Sequence, residues 1–292
     1  MKPAPFQYIA ATSLAHALAL KSEHGDEAKF LAGGQSLMPT MNFRLARPAV
    51  LIDINGIDEL AGIACSATGL TRIGATTRYR AMERDVQLAA TFPLIHEALP
   101  EIAHPQIRNR GTLGGNLSHA DPASEMPAIA VALQARLKLQ STTNTRWIAA
   151  ADFFLGALTT KLQPDEMLTD IELPQPAPRT GSCFMEIARR RGDFAIAGVA
   201  AVVTLDDDQK CTHARLVLCG VGETPVDASR AADALIGNVI TEKGMRDVAA
   251  LAQGMIDPGG SVHATVGYQR HVAGVLIERA LTTAHLRARD GQ

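Results

Sequence analysis

Two glycine-rich segments hold the residues of this sequence that are best suited to binding an anion. The first, AGGQSLMP, covers residues 32–39, and the second, GTLGG with the asparagine after it, covers residues 111–116. Because glycine has no Cβ, such segments allow backbone N–H groups to approach a phosphate closely. Glycines can also serve a purely structural turn. The presence of two segments of the same character favours the hypothesis that both close on one phosphorylated ligand.

The residues around these segments exclude the commonest nucleotide-binding motifs. A predicted strand at residues 29–31 runs directly into the first segment, which is typical of a phosphate-binding turn. Neither the GxGxxG fingerprint of dinucleotide-binding folds nor the GK[ST] of a P-loop is present. After the second segment, Asp121, Ser124 and Glu125 precede Pro127, a residue suited to the first turn of a helix.

The composition is that of a globular protein large enough for two domains. The chain has 292 residues, of which 47% are hydrophobic and 20% charged, and its formal net charge is −2. This balance argues against nucleic acid and against a membrane surface as partners. The longest apolar run, residues 195–205, is too short to span a bilayer, and the N-terminus shows no signal peptide. We therefore expect a cytoplasmic protein without a membrane span.

The cysteines and histidines do not follow a metal-binding or catalytic pattern. No CxxC pair occurs, so the ligand spacings of zinc and iron–sulfur sites are missing. His104 and His119 flank the second glycine segment and are interpreted as loop or packed histidines. We predict no metal ligand and no catalytic residue on this chain, so any electron carrier would be organic. The cysteines interpreted as buried and inert are Cys65, Cys183, Cys211 and Cys219.

Hydrophobic patterning predicts a small βαβ unit at the N-terminus, followed by a longer mixed region. Ser13 is the predicted N-cap of the first helix, which ends near Gly25. Strands of the first unit are predicted at residues 6–9, 29–31 and 49–54. The mixed region is predicted to hold helices at 81–89 and 124–134, a hairpin formed by 135–140 and 145–150, a short helix at 152–158 and a strand at 167–173.

A proline-rich segment marks the predicted boundary between two domains. Three prolines fall within residues 174–180, which is typical of a linker. We predict a first domain over residues 1–177, with lobes of about 1–55 and 56–177, and a second over residues 178–292. The second domain is predicted to hold three antiparallel strands, at 184–188, 196–205 and 214–221, and helices at 228–235, 242–252 and 268–287.

Four motifs, in their order along the chain, resemble the FAD-binding medium subunit of the molybdenum-containing hydroxylases. They are AGGQSLMPTM, PQIRNRGTLGGN, HADPASEMP and FMEIARRRGDFAIAG. That family includes carbon monoxide dehydrogenase, xanthine dehydrogenases and bacterial dehydrogenases of N-heteroaromatic compounds. The resemblance spans nearly the whole chain, including GYQRHVAGVLIERAL near the C-terminus. It implies an α+β protein, in which a two-lobed FAD-binding domain of the vanillyl-alcohol-oxidase type is followed by a small α+β domain with a three-stranded antiparallel sheet and helices.

The resemblance also implies which residues bind FAD. The first glycine segment would cradle the pyrophosphate, and the second would approach it from the other lobe. Glu125 matches a carboxylate near the ribose or adenine, and Asp121 belongs to the same motif. The glycine-segment residues implied in this way are Ala32, Gly33, Gly34, Gln35, Ser36, Leu37, Gly111, Thr112, Leu113, Gly114, Gly115 and Asn116.

Further residues are implied around the two ends of the FAD. Ile102 and Leu168 match positions that pack against the adenine or the flavin. Phe194 stands where relatives often have a tyrosine against the isoalloxazine ring, so stacking is kept and one hydroxyl is lost. Glu186 stands where some relatives carry a lysine, so a positive charge near the flavin is absent here.

By the same resemblance, the chain would be the FAD-carrying electron-transfer subunit of a heterotrimeric molybdenum hydroxylase. Substrate would be hydroxylated at a molybdenum cofactor on a large subunit. Electrons would pass through two [2Fe–2S] clusters on a small subunit to the FAD, and then to an external acceptor. The complex would be a dimer of heterotrimers. Neither the substrate nor the acceptor follows from these residues.

Two other functions remain compatible with the motifs. A stand-alone FAD-dependent oxidase of the same broad fold would act on a substrate of its own, although the chain is short for a domain that must also build a substrate pocket. A non-redox module for assembly would hold a nucleotide without doing electron transfer. The glycine segments and the aromatic residue at Phe194 speak against that second alternative.

Overall fold

The computed structural model describes residues 2–66 and 69–291. The N-terminal part of the chain forms a small lobe around a parallel sheet. The elements of this lobe are β1 (Gln7–Ala10), α1 (Leu14–His24), β2 (Ala28–Leu31), α2 (Leu37–Asn42) and β3 (Val50–Asp53). β3 lies between β1 and β2, and both pairings are parallel. Because the carboxyl ends of parallel strands meet at one edge, the turn after β2 lies beside the residues that follow β3.

Local sequence signals explain α1, which covers one face of the parallel sheet. The Ser13 side chain caps the helix by accepting a hydrogen bond from the His16 N–H at 3.1 Å, as predicted. At the other end, the buried Lys21 ammonium donates to the carbonyls of Gly25 and Ala28. Burial lowers the pKa of Lys21, and the two carbonyls stabilise its charge inside the lobe.

The second lobe is built on a five-stranded antiparallel sheet with helices packed against it. The strand order is β4-β5-β10-β6-β7, and β8 pairs separately with β9. The strands are β4 (Ile63–Cys65), β5 (Leu70–Gly74), β6 (Arg136–Gln140), β7 (Thr145–Ala149), β8 (Phe154–Gly156), β9 (Thr159–Thr160) and β10 (Met167–Pro174). The helices are α3 (Tyr79–Arg84), α4 (Val86–Thr91), α5 (Pro93–Ala98), α6 (Pro105–Arg108), α7 (Leu113–His119) and α8 (Glu125–Ala132).

Two predicted helices of this lobe are wrong. The single helix predicted at 81–89 is divided into α3 and α4 at Asp85, whose side chain accepts a hydrogen bond from the Leu88 N–H at 2.8 Å and so starts a new helix. The helix predicted at 152–158 is a short 3₁₀ turn followed by β8. Leu158 adopts a left-handed φ of +55°, which turns the chain back into β9.

The C-terminal part is a second α+β unit with a four-stranded antiparallel sheet. Its elements are β11 (Thr180–Ile187), β12 (Ala197–Leu205), β13 (Cys211–Cys219), β14 (Val226–Asp227), α9 (Ser229–Ala232), α10 (Glu242–Gln253) and α11 (Val266–Asp290). The strand order follows the chain, from β11 to β14. The sequence predicted three strands and missed β14, because a two-residue edge strand is too short to show alternation of polar and apolar residues.

Helices cover both faces of the C-terminal sheet. Val199, Ala201 and Val203 of β12 pack into a core with α10 and α11. Ala200 and Val202 of the same strand point the other way, into the core of the second lobe, where α8 lies. Every residue of β12 is buried, which explains the continuous apolar run in the sequence. Among the described residues, no helix combines the length and the apolar character needed to cross a membrane.

Candidate functional site

The first glycine segment forms the turn between β2 and α2. Gly34 has a φ of +72°, in the left-handed region that favours glycine. Gly33 is buried, and a Cβ at this position would lie 2.5 Å from the Arg110 carbonyl oxygen. Glycine is therefore required at these two adjacent positions for different reasons. At position 34 the backbone dihedral requires it, and at position 33 the close approach of another segment requires it.

The N–H groups of this turn are free. Within residues 2–66 and 69–291, no N–H group of residues 33–37 donates a hydrogen bond to another protein atom. The carbonyls of the turn are held in place instead. Asn55 donates to the Ala32 carbonyl at 2.9 Å, and the Met38 N–H donates to the Gly34 carbonyl at 3.1 Å. A row of free N–H groups with fixed carbonyls is an arrangement that binds anions.

The second glycine segment leads into the first turn of α7, and the N–H groups of Gly111 and of residues 113–116 are already used. Thr112 is the N-cap, and its Oγ1 accepts a hydrogen bond from the Gly115 N–H at 3.2 Å. The Gly114 N–H donates to the Ala75 carbonyl at 2.8 Å. The further donor and acceptor pairs are Gly111 with Ile107, Leu113 with Thr77, and Asn116 with Thr112. The expectation that these N–H groups are open to a ligand is therefore wrong, and the glycines serve close packing.

The two glycine segments touch each other and so join the two lobes. A Cβ built on Gly33 would lie 2.9 Å from the Gly111 Cα, and one built on Gly115 would lie 3.7 Å from the Ala32 Cβ. A Cβ on Gly114 would overlap Ala75, which follows β5. The segments thus form one continuous surface, and the first of them offers a row of free donors.

Two residues that the sequence analysis missed connect the same segments. Asn55 follows β3 and holds the turn after β2 through its side-chain amide. Arg78 precedes α3, and its guanidinium donates both to the Asn55 Oδ1 and to the Arg110 carbonyl. Asn55 could have been found from its position, because polar residues directly after the central strand of a parallel sheet often lie at a binding site.

Polar residues between α7 and α8 extend the surface beyond the glycines. The Asn116 side-chain amide donates to the Ser124 Oγ at 2.6 Å. Its Oδ1 is buried and has no partner among the described residues. Asp121 accepts a hydrogen bond from the Ala123 N–H at 2.9 Å and stabilises the turn before α8. Asn116 therefore presents an unused acceptor, whereas the structure gives Asp121 a role in the local turn.

Glu125 is a buried acid at the start of α8. Only 5% of the residue is exposed. Burial raises the pKa of its carboxyl to about 7, and the carboxylates of Asp121 and Glu101 act in the same direction. Burial, together with Glu125, also raises the pKa of the neighbouring Tyr79. This part of the site is therefore acidic and shielded from water.

Ile102 and Leu168 lie in the protein interior. Ile102 is 6% exposed and Leu168 is 4% exposed, and both belong to the core of the second lobe. Their side chains therefore pack in the interior of this lobe, and neither is exposed enough to form a large part of an open surface.

Glu186 lines a cavity at the junction of the second lobe and the C-terminal unit. The residue lies on β11, and both of its carboxylate oxygens are buried without a partner among the described residues. The cavity measures about 470 Å³, and its other lining residues are Glu101, Ile187, Ala188, Arg190 and Arg191. Burial raises the pKa of Glu186 to about 8, and the charges of Glu125 and Glu101 add to this shift.

Phe194 stands at the end of the loop that borders this cavity. Phe194 is 68% exposed although its side chain is an apolar ring. The loop packs on the second lobe at Gly192, where a Cβ would lie 2.6 Å from the Ala103 carbonyl oxygen. An ion pair of 3.5 Å between Arg191 and Glu101 ties the loop to the same lobe. The aromatic residue is thus exposed on an anchored loop.

The cysteines are more varied than predicted. Cys183, Cys211 and Cys219 are buried, whereas Cys65 is exposed. Burial raises the pKa of the Cys183 thiol to about 11 and also raises that of Cys219. In the part of the chain that the structure describes, no three His, Cys, Asp or Glu side chains are grouped as metal ligands.

Two family models match the chain, one on each side of the proline-rich segment. Residues 4–176 match the FAD binding domain in molybdopterin dehydrogenase, and residues 182–284 match the CO dehydrogenase flavoprotein C-terminal domain. Caffeine dehydrogenase subunit beta from Pseudomonas sp. (strain CBB1) is 42% identical over 97% of this chain and 96% of its own length. The 6-hydroxypseudooxynicotine dehydrogenase complex subunit alpha from Paenarthrobacter nicotinovorans is 39% identical over 99% and 97%.

A solved structure has the same fold over nearly the whole chain. It is the carbon monoxide dehydrogenase from Hydrogenophaga pseudoflava that lacks the Mo-pyranopterin moiety of the molybdenum cofactor. One of its chains superposes with a TM-score of 0.95 at 36% identity, covering 98% of this chain and 99% of that chain. The two-lobed FAD-binding fold with a C-terminal α+β domain, expected from the motifs, is confirmed.

The chain belongs to the family of FAD-binding subunits of the molybdopterin dehydrogenases. It carries an FAD-binding domain, and it is a flavoprotein subunit of an oxidoreductase that transfers electrons. The resemblance deduced from the four motifs is confirmed by these matches.

Proposed function

We propose that this chain binds the FAD pyrophosphate on the turn after β2. The observation that carries this proposal is the row of free N–H groups at residues 33–37. N–H donors to a phosphate oxygen form charge-assisted hydrogen bonds, which are stronger than neutral ones. The segment at residues 111–116 would mainly shape the surface against which the FAD lies, because five of its six N–H groups already have protein partners and its glycines allow close approach.

The other end of the FAD would lie toward the C-terminal unit. The cavity beside Glu186 and the exposed ring of Phe194 support this orientation, because a flavin needs space and an aromatic or apolar face to stack on. The unused Asn116 Oδ1 offers a polar contact along the way. Glu125, Asp121, Ile102 and Leu168 would complete the surroundings of the adenine, ribose and flavin groups.

When bound, FAD would supply the electron-accepting group, and this chain would hold, orient and shield it. The residues near the cavity are suited to this role because they leave room for a ring system and place the buried Glu186 carboxyl group beside it. No step of the reaction requires a side chain of this subunit to act as a nucleophile.

We also propose the partners that complete the electron path. They are a large subunit with a molybdenum cofactor, a small subunit with two [2Fe–2S] clusters and an external acceptor, assembled as a cytoplasmic dimer of heterotrimers. The names of the relatives support this, since they are subunits or chains of dehydrogenases. The division into domains at residues 177 and 178 stays a prediction, supported by the gap between β10 and β11.

The experiment that tests this function is purification of the native complex, followed by assay of FAD, iron and molybdenum on the same sample. We expect FAD and molybdenum in equal amounts, with about four iron atoms per FAD, because each [2Fe–2S] cluster holds two irons. FAD on a lone chain that turns over a substrate would instead support a stand-alone oxidase. A bound nucleotide without a flavin spectrum would support the non-redox assembly module.

A further inference from the structure

Asn55 connects the edge of the parallel sheet to the first glycine segment. Its side-chain amide donates to the Ala32 carbonyl at 2.9 Å and to the Leu31 carbonyl at 3.2 Å. Asp53 orients the amide, because its Oδ1 accepts hydrogen bonds from the Asn55 backbone N–H at 2.8 Å and from the side-chain amide at 2.6 Å. The Asn55 side chain therefore fixes the carbonyls at the point where the free N–H groups begin.

Arg78 reaches the same place from the second lobe. One amino group of its guanidinium donates to the Asn55 Oδ1, and the other donates to the Arg110 carbonyl. The Arg110 carbonyl oxygen is the atom that Gly33 faces, since a Cβ on Gly33 would lie 2.5 Å from it. A single planar side chain thus holds the first glycine segment, through Asn55, and the second segment directly.

The charge around Arg78 is also arranged for an anion. Burial and the positive charge of Arg110 lower the pKa of Arg78, and Asp53 only partly offsets them. Among the described residues, no carboxylate forms an ion pair with Arg78 or Arg110. Two like charges kept close together without a direct counter-ion destabilise each other, and a bound pyrophosphate would remove that repulsion.

We infer that Asn55 and Arg78 are positioning residues for FAD, which lock the two glycine segments together and thereby set the direction of the free N–H groups. The inference rests on the proposed function, because it concerns the same anion-binding turn. The glycines allow the turn to adopt its geometry, and the hydrogen bonds of Asn55 and Arg78 hold it there. A guanidinium is suited to this role because it can donate from two amino groups in a fixed plane.

The test uses the purified complex with Asn55→Ala, Arg78→Lys and, as a matched control, Arg80→Lys. Arg80 lies two positions further along the chain, its side chain is 45% exposed, and its ion pair is with Glu83 at 3.0 Å and not with either glycine segment. We measure the FAD dissociation constant, the ³¹P NMR resonances of the bound pyrophosphate, and the unfolding temperature of the FAD-free protein.

We expect Asn55→Ala and Arg78→Lys each to raise the dissociation constant about 10- to 100-fold, which corresponds to the loss of one or two hydrogen bonds to buried groups. Both should shift the ³¹P resonances of the FAD that remains bound, whereas Arg80→Lys should leave them unchanged. The double variant should be less damaging than the product of the two single effects, because the residues act through one shared hydrogen bond.

Three outcomes would overturn the inference, and they can be told apart. Wild-type complex without FAD would overturn the proposed function together with it. Tight FAD binding and unchanged ³¹P resonances in both variants would overturn the positioning role alone. Weaker binding that is fully explained by unfolding of the FAD-free protein, with unchanged resonances, would show a structural role without positioning.

Discussion

At the scale of single residues, neighbouring positions in the site need the same residue type for different physical reasons. Gly33 must be a glycine because the backbone of the second segment fills the space where a Cβ would lie, whereas Gly34 is required by its dihedral angle. Glu125 and Glu186 are close enough in space that each raises the pKa of other groups in the buried acidic region. The requirement for glycine and the raised pKa values therefore arise from tertiary contacts as well as from local backbone conformation.

Gly34→Ala should weaken FAD binding while leaving most of the fold intact. A residue with a side chain at a φ of +72° is strained by roughly 1–2 kcal/mol. The new Cβ would lie 3.2 Å from the Leu31 Cδ1 and 3.3 Å from the Met38 Cγ, so the turn should shift. The FAD-to-protein ratio and the unfolding temperature measure the two effects. Gly56→Ala is the control, because a Cβ there meets nothing within 4 Å; full FAD occupancy in Gly34→Ala would contradict the prediction.

Glu186→Gln should stabilise the protein increasingly as the pH rises from 5 to 8. The folded-state pKa is raised from 4.5 to about 8, so between these values the folded protein holds a proton that the unfolded chain has released. Wild-type stability therefore falls with rising pH in this window, and glutamine removes that contribution. Unfolding temperatures of the FAD-free protein at several pH values give the measurement.

The matched control for Glu186→Gln is Glu242→Gln, since it makes the same substitution at a side chain that is 86% exposed. Equal stability differences between Glu186→Gln and wild type at pH 5 and pH 8 would show that the carboxyl is already ionised at the lower pH. Glu125 titrates in an overlapping range, with a pKa of about 7.

At the scale of the elements, α7 is the one that most changes the interpretation of the sequence. Two consecutive glycines, at positions 114 and 115, disfavour a helix by propensity, so the segment looked like an open loop. Thr112 caps the helix, and α7 packs on residues that follow β5, so tertiary contacts outweigh the propensity. As a result, the donors of the first turn are consumed within the protein.

Thr112→Ala should destabilise the protein by about 1 kcal/mol through loss of the N-cap, and it should also reduce FAD retention. Thr112→Ser should restore both, because the hydroxyl is kept. Denaturant unfolding measures the stability, and the flavin absorbance of the purified protein measures the retention. Thr265→Ala is the matched control, since Thr265 caps α11 by accepting from the Tyr268 N–H at 3.2 Å. It should cost similar stability and leave FAD bound; FAD loss in both variants would indicate a general effect of destabilisation.

Elements with strong local signals could be predicted from the sequence. The Ser13 cap, the apolar β12 and the long α11 were recognised from residue types and hydrophobic spacing. The hairpin of β6 and β7 was recognised from its polar turn. In contrast, the split at Asp85 and the β8–β9 hairpin depend on one side-chain hydrogen bond and one left-handed residue, which hydrophobic patterning does not show.

The candidate site was predictable to a smaller extent. The glycine motifs marked both segments, and both were expected to face the same ligand. The sequence did not show which N–H groups are free, because that depends on which carbonyl each N–H group meets in the folded protein. Asn55 and Arg78 were missed for the same reason, since their partners are backbone atoms of residues distant in the sequence. The burial of Glu186 arises only when β11 packs beside the second lobe.

At the scale of the whole molecule, the C-terminal sheet belongs to two hydrophobic cores at once. Phe184 and Val217 pack into the core of the second lobe, together with residues of α8. Arg287 of α11 forms an ion pair with Glu97 of α5, and Glu97 also accepts a hydrogen bond from the Phe184 N–H at 2.8 Å. The apolar and polar contacts therefore bind the two parts of the chain along the same interface.

The full chain should unfold in one cooperative transition, and a fragment ending at residue 177 should not remain soluble as a folded domain. Removal of the C-terminal sheet would expose the apolar surface of α8, all of whose residues are buried in the full chain. Far-ultraviolet circular dichroism and tryptophan fluorescence should follow the same unfolding curve, since Trp147 lies in the second lobe. Two separate transitions, or a monomeric and well-folded fragment, would show that the interface contributes little.

The shared interface has a consequence for the order in which the protein is made. A nascent chain that has emerged as far as residue 177 already contains both glycine segments, Asn55 and Arg78, but it lacks Glu186, the loop that carries Phe194 and the sheet that covers α8. On the proposed binding mode, the pyrophosphate end of the site is therefore synthesised first and the flavin end last. FAD bound early would be held at one end only until the C-terminal sheet docks and closes the other.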